Sequence, residues 1–441
     1  MAHGARVPRR CDDRIPFLMT IRSSGMRCKV PGQRKSPLRC PFMLLVGCWL
    51  AASGLAQNTR GQHAESVAIQ KLQARGFNHF YNLEYRRALH DFQALAHRQP
   101  WNSAAWNRVA EARLYLEMYR IGALESQLYG HGNPFLEVPL PKPDPRALAA
   151  FYRDNQRALR LAREQIRVHP DDAHARYNAA AAWALRGSCD FALRKAYFAA
   201  LHDALHARAQ ASKAVKLDPG FVDPRLILGV QQFVAGSLPW TEKLLAHFVG
   251  YSGSKKKGIA EIQYVAAHGE NTRSDALVLL AVIYRREGWN AQAVPILADL
   301  SRQYPRNVLF AVELAGAEEA AGQHQAALAQ YHAILRRAQA HAAGYQRAPL
   351  DKVWYALGHI HWLYSQYLQA LHDFLLAAHA PITYPRYRQA AWLAAGQMED
   401  LLGRRPAAVA DYRRALARGR HTPAGKAARR FLRHPYRASR K

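Results

Sequence analysis

The sequence predicts an all-α protein, a stack of about eight helix pairs, and three observations carry that expectation. The chain repeats itself near every 34 residues: Ala88, Phe92 and Pro100 form a frame that recurs as Ala207, Ala211 and Pro219, and again as Ala293, Leu297 and Pro305. Apolar residues between the breakers follow the 3.6-residue period of helices, with few strand signals. The recurrent residues also have the chemistry that crossing helices need. A small side chain permits close approach, and a proline cannot continue a helix. With 49% apolar residues the chain can form a core over most of its length.

The frame extends to positions not used to set it. The unit opening at 351 holds Trp354, Leu357, Gly358, Ala370, Phe374 and Ala377; the unit at 389 holds Trp392, Gly396, Ala408, Tyr412 and Ala415; the unit at 274 holds Leu277, Leu280, Ala281, Tyr284, Ala293 and Leu300. These residues resemble the tetratricopeptide repeat (TPR), a pair of antiparallel helices with a proline ending the second. The resemblance, to exported bacterial TPR proteins once the basic and apolar N-terminus is considered, implies a right-handed α-solenoid in which each repeat contacts mainly its neighbours. It places regular repeats over 273–422, as units 274–307, 308–341, 351–384 and 389–422. Residues 69–272 form irregular TPR-like repeats. There, 69–102 is regular, and the next unit opens at Trp106 but is interrupted by a proline-rich loop at 130–145. A long second helix is expected from about Asp190 to Leu217, followed by a divergent unit over 222–272. Gly250 to Ile259 is similar to a glycine-marked segment of the eukaryotic tetratricopeptide-39 family.

The N-terminus reads as an address. Residues 1–39 hold ten Lys/Arg against two Asp, and the apolar run Pro41–Ala56 carries no charge. Gly54-Leu55-Ala56 fits a signal-peptidase site, so 1–56 is expected to be a signal peptide with a basic n-region, cut before Gln57. The run is shorter than the ~20 residues of a membrane-spanning helix, so the mature chain is expected to have no transmembrane segment, with a retained anchor as the alternative to cleavage. Translation starting at Met19 or Met26 would shorten the n-region. Leu45-Val46-Gly47-Cys48 also fits a lipobox, which would anchor the protein through a lipid on Cys48. Residues 57–68 are expected to be a short linker. The destination is exported, periplasmic or envelope-associated. Four of the five cysteines precede Gln57, and Cys189 alone cannot form a disulfide framework.

Net charge is +30, and residues 417–441 contribute nine Lys/Arg and no acid. The tail expected at 423–441 is thus a candidate contact for a membrane surface, an acidic polysaccharide or nucleic acid. An export signal argues against nucleic acid. The chain shows no phosphate loop, no His-Glu-x-x-His and no nucleophile elbow, so no enzyme and no cofactor is expected. His359-x-His361 cannot chelate one ion, because residues two apart on a helix point to nearly opposite faces. The crowded turn His169, Asp171, Asp172 and His174 has the composition of a helix start, so no metal is expected.

The TPR resemblance also implies where a partner binds. In that family the second, fifth, ninth and twelfth residues of a first helix commonly face the ligand. Here they are Lys352, Tyr355, His359 and Trp362; His174 and Tyr177; Gln70, Gln73, Phe77 and Phe80; and Arg285. Rings beside hydrogen-bonding groups suit an extended peptide. The expected function is an exported adaptor that holds a protein partner in the groove. The alternative is a binder of an anionic polymer on the basic face. No unit has the Lys and Asn pair used to grip chaperone tails.

Overall fold

The structure, a computed structural model, describes residues 49–124, 141–237, 253–380 and 385–437, with backbone alone for 49–64 and 385–386. Most of the expected leader with Cys48, the proline-rich loop up to 140, Gly250 to Ser252 and residues 438–441 lie outside the described residues. The chain divides into two compact units, 1–61 and 62–441. The second holds the repeats.

The described residues form seventeen α-helices. Sixteen make eight consecutive pairs: α1 (Trp49–Tyr81) with α2 (Tyr85–Arg98), α3 (Ser103–Arg120) with α4 (Pro145–Val168), α5 (Ala173–Cys189) with α6 (Tyr197–Leu217), and α7 (Pro224–Ser237) with α8 (Lys255–His268). Then come α9 (Arg273–Glu287) with α10 (Asn290–Gln303), α11 (Val308–Ala320) with α12 (His324–Gln339), α13 (Leu350–Leu363) with α14 (Tyr367–His379), and α15 (Pro385–Leu401) with α16 (Arg405–Ala417). The last helix, α17 (Pro423–Arg433), closes the stack. None of them is long and apolar enough to cross a membrane.

Local chemistry explains where the helices begin and turn. Side chains of Asn102, Asp144, Asp172, Ser254, Asn307 and Thr422 accept hydrogen bonds from the first turns of α3, α4, α5, α8, α11 and α17, satisfying donors that a helix start leaves unpaired. Five of the tight turns within pairs place one residue in the left-handed region: Leu83, Gly288, Gly322, Ser365 and Gly403. Glycine fits there without strain. Leucine and serine do not.

The pairs pack as the repeat frame requires. Ala88, Ala207, Ala293, Ala327, Ala370 and Ala408 have no accessible surface, because each lies where two helices cross. Opposite them, Gly76, Gly358 and Gly396 face the rings of Phe92, Phe374 and Tyr412 so closely that an added Cβ would sit 2.4, 2.8 and 2.6 Å from ring carbon. These are TPR-like helical repeats in an all-α fold.

Three expected boundaries change. Residues 57–68 lie inside α1 rather than in a linker. The long helix expected over 190–217 is two segments: Asp190–Arg194 continues α5 as a π-helical turn, Lys195 adopts a left-handed conformation, and α6 begins at Tyr197. Asp190, which accepts from Tyr152 and Arg194, ties that turn to α4. The basic tail is folded as far as 437. Phe431 and Ala428 of α17 are buried against Tyr412 and Trp392, and Arg405 donates to the carbonyls of Phe431 and Leu432.

A further feature had no sequence signal. The turn joining α1 to α2 packs back onto the fifth and sixth pairs. The Tyr81 hydroxyl donates to Asp275 at 2.7 Å and its carbonyl accepts from the Asn307 side chain at 2.7 Å. The Arg306 guanidinium reaches Glu84 at 3.1 Å and Asn78 at 3.0 Å, while its backbone N–H donates to Asn82. The Tyr81 and Tyr304 rings lie 4.9 Å apart. This clasp closes the first five pairs into a ring.

Candidate binding sites on the inner wall

That ring bounds a half-open cavity of about 2100 Å³, walled chiefly by the first helices α1, α3, α5, α7, α9 and α11. Those helices carry the apolar stripe on one side against their partners. Their other side therefore faces inward, and it is mostly apolar as well.

A polar belt crosses the cavity at the clasp. Arg108 on α3 pairs with Glu111 at 2.8 Å and lies over the Phe77 ring at 4.7 Å. Burial works against its charge, but Glu111, Tyr177 and Asp275 more than offset it and raise its pKa. Burial, then repulsion from Glu111, pushes the Asp275 carboxyl up to about 7, against the pull of Tyr81 and Arg108. Asp275 lines the cavity and so keeps some accessible surface there. At the other end of α9, Arg285 and Lys352 share Glu313, at 3.6 and 3.0 Å. Arg285 also donates to Asn290 and to the Gly316 carbonyl. Arg286 lines the same wall.

The residues expected from the repeat frame fall in two places. Phe80, Tyr177, Arg285 and Lys352 line the cavity, as do Gln73 and His174. Phe80 is almost fully packed among Tyr81, Tyr85 and Tyr115, and Tyr177 and His174 lean on Phe221. Phe77 sits behind the wall, edge-on to Phe92. Tyr355, His359 and Trp362 lie further along on α13, outside the cavity. Tyr355 packs on Phe374 and on Tyr387 of α15, with ring centroids 5.4 and 5.8 Å away. His359 binds Glu319 at 3.0 Å, and its ring is 6.0 Å from that of Trp362, which is 6.1 Å from Tyr436. All five rings keep some exposure.

Tyr387 and Tyr436 were missed by the repeat frame. Tyr387 belongs to a first helix that begins before the expected unit, and Tyr436 follows α17, where its backbone N–H donates to Asp400. His359 and His361 form no pair: His361 binds Asp373 at 2.7 Å, away from His359. Asp172 caps α5. Burial raises the Cys189 thiol to about 12, leaving it a small packed side chain. Among the described residues no cluster of three or more His, Cys, Asp or Glu is arranged to hold a metal ion.

No protein-family model matches the chain, and no curated protein matches it in sequence. Solved structures similar to it include yeast Tom70, at 14% identity and a TM-score of 0.34 over 84% of this chain and 96% of that one. A human IFIT1 dimer with PPP-AAAA is similar at 13% identity and 0.36, over 83% and 86%. A tetratricopeptide repeat protein from Parabacteroides merdae is similar at 12% and 0.27, over 74% and 98%.

Proposed function

We propose that the protein is a non-enzymatic, exported adaptor that holds a segment of a protein partner against α13 and its neighbours, in the bacterial envelope or periplasm. One observation carries this reading: five partly exposed rings, Tyr355, His359, Trp362, Tyr387 and Tyr436, converge from α13, α15 and the segment after α17. Rings are rigid and amphipathic, and they concentrate binding energy at protein interfaces. Lys352 and Glu313 border the patch with a charge pair that can orient a backbone or a polar side chain. The export part rests on the apolar run to Ala56, and an envelope protein whose mass shows residues 41–56 intact would refute it.

The test compares the proteins cross-linked and captured by the wild-type chain with those captured by a Tyr355→Ala/Trp362→Ala variant of matched melting temperature. Capture should be lost, with a hot-spot cost of roughly 2 kcal/mol or more. A second variant, Arg429→Gln/Arg433→Gln, removes exposed charge from α17 while keeping Phe431 in place. Truncation after Leu416 is a poor substitute, because it strips the cap from the last pair. A partner retained by the ring variant, lost by the charge variant and released log-linearly by salt would indicate an anionic polymer instead.

A further inference from the structure

We propose that the half-open cavity inside the ring is a binding site for a long-chain amphipathic anion, a single hydrocarbon chain ending in a carboxylate. This goes beyond the adaptor reading, whose rings lie outside the cavity.

Three observations support it. The stretch of wall formed by Leu185, Leu201, Ile227, Val230, Val278 and Val282, from α5, α6, α7 and α9, presents only hydrocarbon side chains. A peptide threaded along it would bring backbone N–H and C=O groups needing partners at every residue, whereas a hydrocarbon chain needs none.

The second observation is the mouth. Phe198 lines the cavity yet is 92% exposed, and Tyr197 and Val234 beside it are also exposed. The left-handed Lys195 that separates α5 from α6 turns this apolar corner outward. Exposed side chains of this kind, continuous with an apolar interior, give a chain leaving a membrane or micelle an unbroken apolar path.

The third is charge. Arg285 and Lys352 share one carboxylate, Glu313, and Arg286 lines the same part of the wall. The polar belt of Arg108, Glu111 and Asp275 is elsewhere: Asp275 precedes Arg286 by eleven positions on α9, about 16.5 Å along the axis. A surplus of positive charge beside an apolar wall matches an anionic head on an apolar chain. Arg286 is the residue to test, since Arg285 also holds the backbone of Gly316.

Calorimetric titration of the full chain with palmitate, below its micelle concentration, tests the proposal. Binding should be saturable, and the series from octanoate upward should gain roughly four-fold in affinity per methylene. Hexadecanol should bind about ten-fold more weakly than palmitate. Arg286→Gln should bring palmitate down to the hexadecanol level without altering hexadecanol binding or the melting temperature. Val230→Trp should block both ligands, and the chain-length series on the unmodified chain stands even where that variant does not fold. No saturable palmitate binding, no dependence on chain length, or indifference to Arg286→Gln would overturn the assignment, as would displacement of palmitate by a tighter-binding apolar peptide. Failure of the palmitate series with partner capture intact refutes this inference alone; capture unaffected by the Tyr355/Trp362 substitutions refutes the adaptor reading alone.

Discussion

Single residues carry strain and charge here that the repeat pattern does not announce. Ser365 occupies the left-handed turn position that glycine fills at 288, 322 and 403, and its side chain is exposed with nothing to lose by removal. Replacing it by glycine should relieve part of the ~1 to 2 kcal/mol that this conformation costs an L-residue, partly offset by greater freedom in the unfolded chain. A net gain of about 0.5 to 1 kcal/mol in urea unfolding is expected, and a loss would refute the strain. Asp275 offers a second test. Its pKa in the fold is raised to about 7, above the roughly 3.9 of an unfolded chain. The folded state therefore binds the extra proton between those values, and the contribution is fully present below about pH 4 and lost as pH rises through 7. Stability should fall between about pH 4 and 7, and Asp275→Asn should flatten that part of the curve. Glu111, Arg108, Tyr81 and Asp223 surround the group, and an unchanged slope in the variant would refute the raised Asp275 titration.

At the scale of the helix pair, the decisive contact is glycine against ring. Gly358 leaves room for Phe374, as Gly76 does for Phe92 and Gly396 for Tyr412. Gly358→Leu should cost about 1 to 3 kcal/mol through overpacking, seen as a lower melting temperature. A second device recurs inside the pairs: buried aspartates on second helices meet the paired first helix, Asp91, Asp154 and Asp203 through Arg75, Arg113 and Arg186, and Asp373 through His361. Removing one partner leaves a buried charge, so these pairs bear on which helices match as well as on stability. The last pair differs, because α17 covers the apolar face that a further repeat would otherwise take.

For residues 62–441 as a whole, the clasp determines what the inner wall can bind. Without it the wall would be an open groove; with it, the inner wall bounds a half-open cavity. Arg306→Ala removes the guanidinium bonds to Glu84 and Asn78, worth about 1 to 3 kcal/mol for charge-assisted pairs. The substitution should speed hydrogen exchange around residues 78–84 and 304–308 and raise the radius of gyration, measured by solution scattering. Unchanged values would mean that Tyr81, Asn82 and Asn307 hold the ring closed without Arg306.

The helix pairs were legible from the chain alone, because the forces that form them are local and repeat: alanine at the crossing, glycine beneath a ring, proline after the second helix. Phe80, Tyr177, Arg285 and Lys352 could be placed on the inner wall for the same reason, since a helix of known phase determines which side each residue faces. What the pattern could not contain was any contact between distant repeats. The hydrogen bonds from Tyr81, Asn82 and Glu84 to Asp275, Arg306 and Asn307 span roughly two hundred residues and depend on the accumulated rotation of four pairs. A small change in each pair's angle shifts the end of the run by many ångströms. The same holds for Tyr436 beside Trp362, where a segment with the composition of a charged tail is placed by the buried Phe431 and Asp400. Neighbour packing was therefore fixed by sequence spacing, while the closure of the ring, and with it the cavity, came only from the summed geometry of the fold.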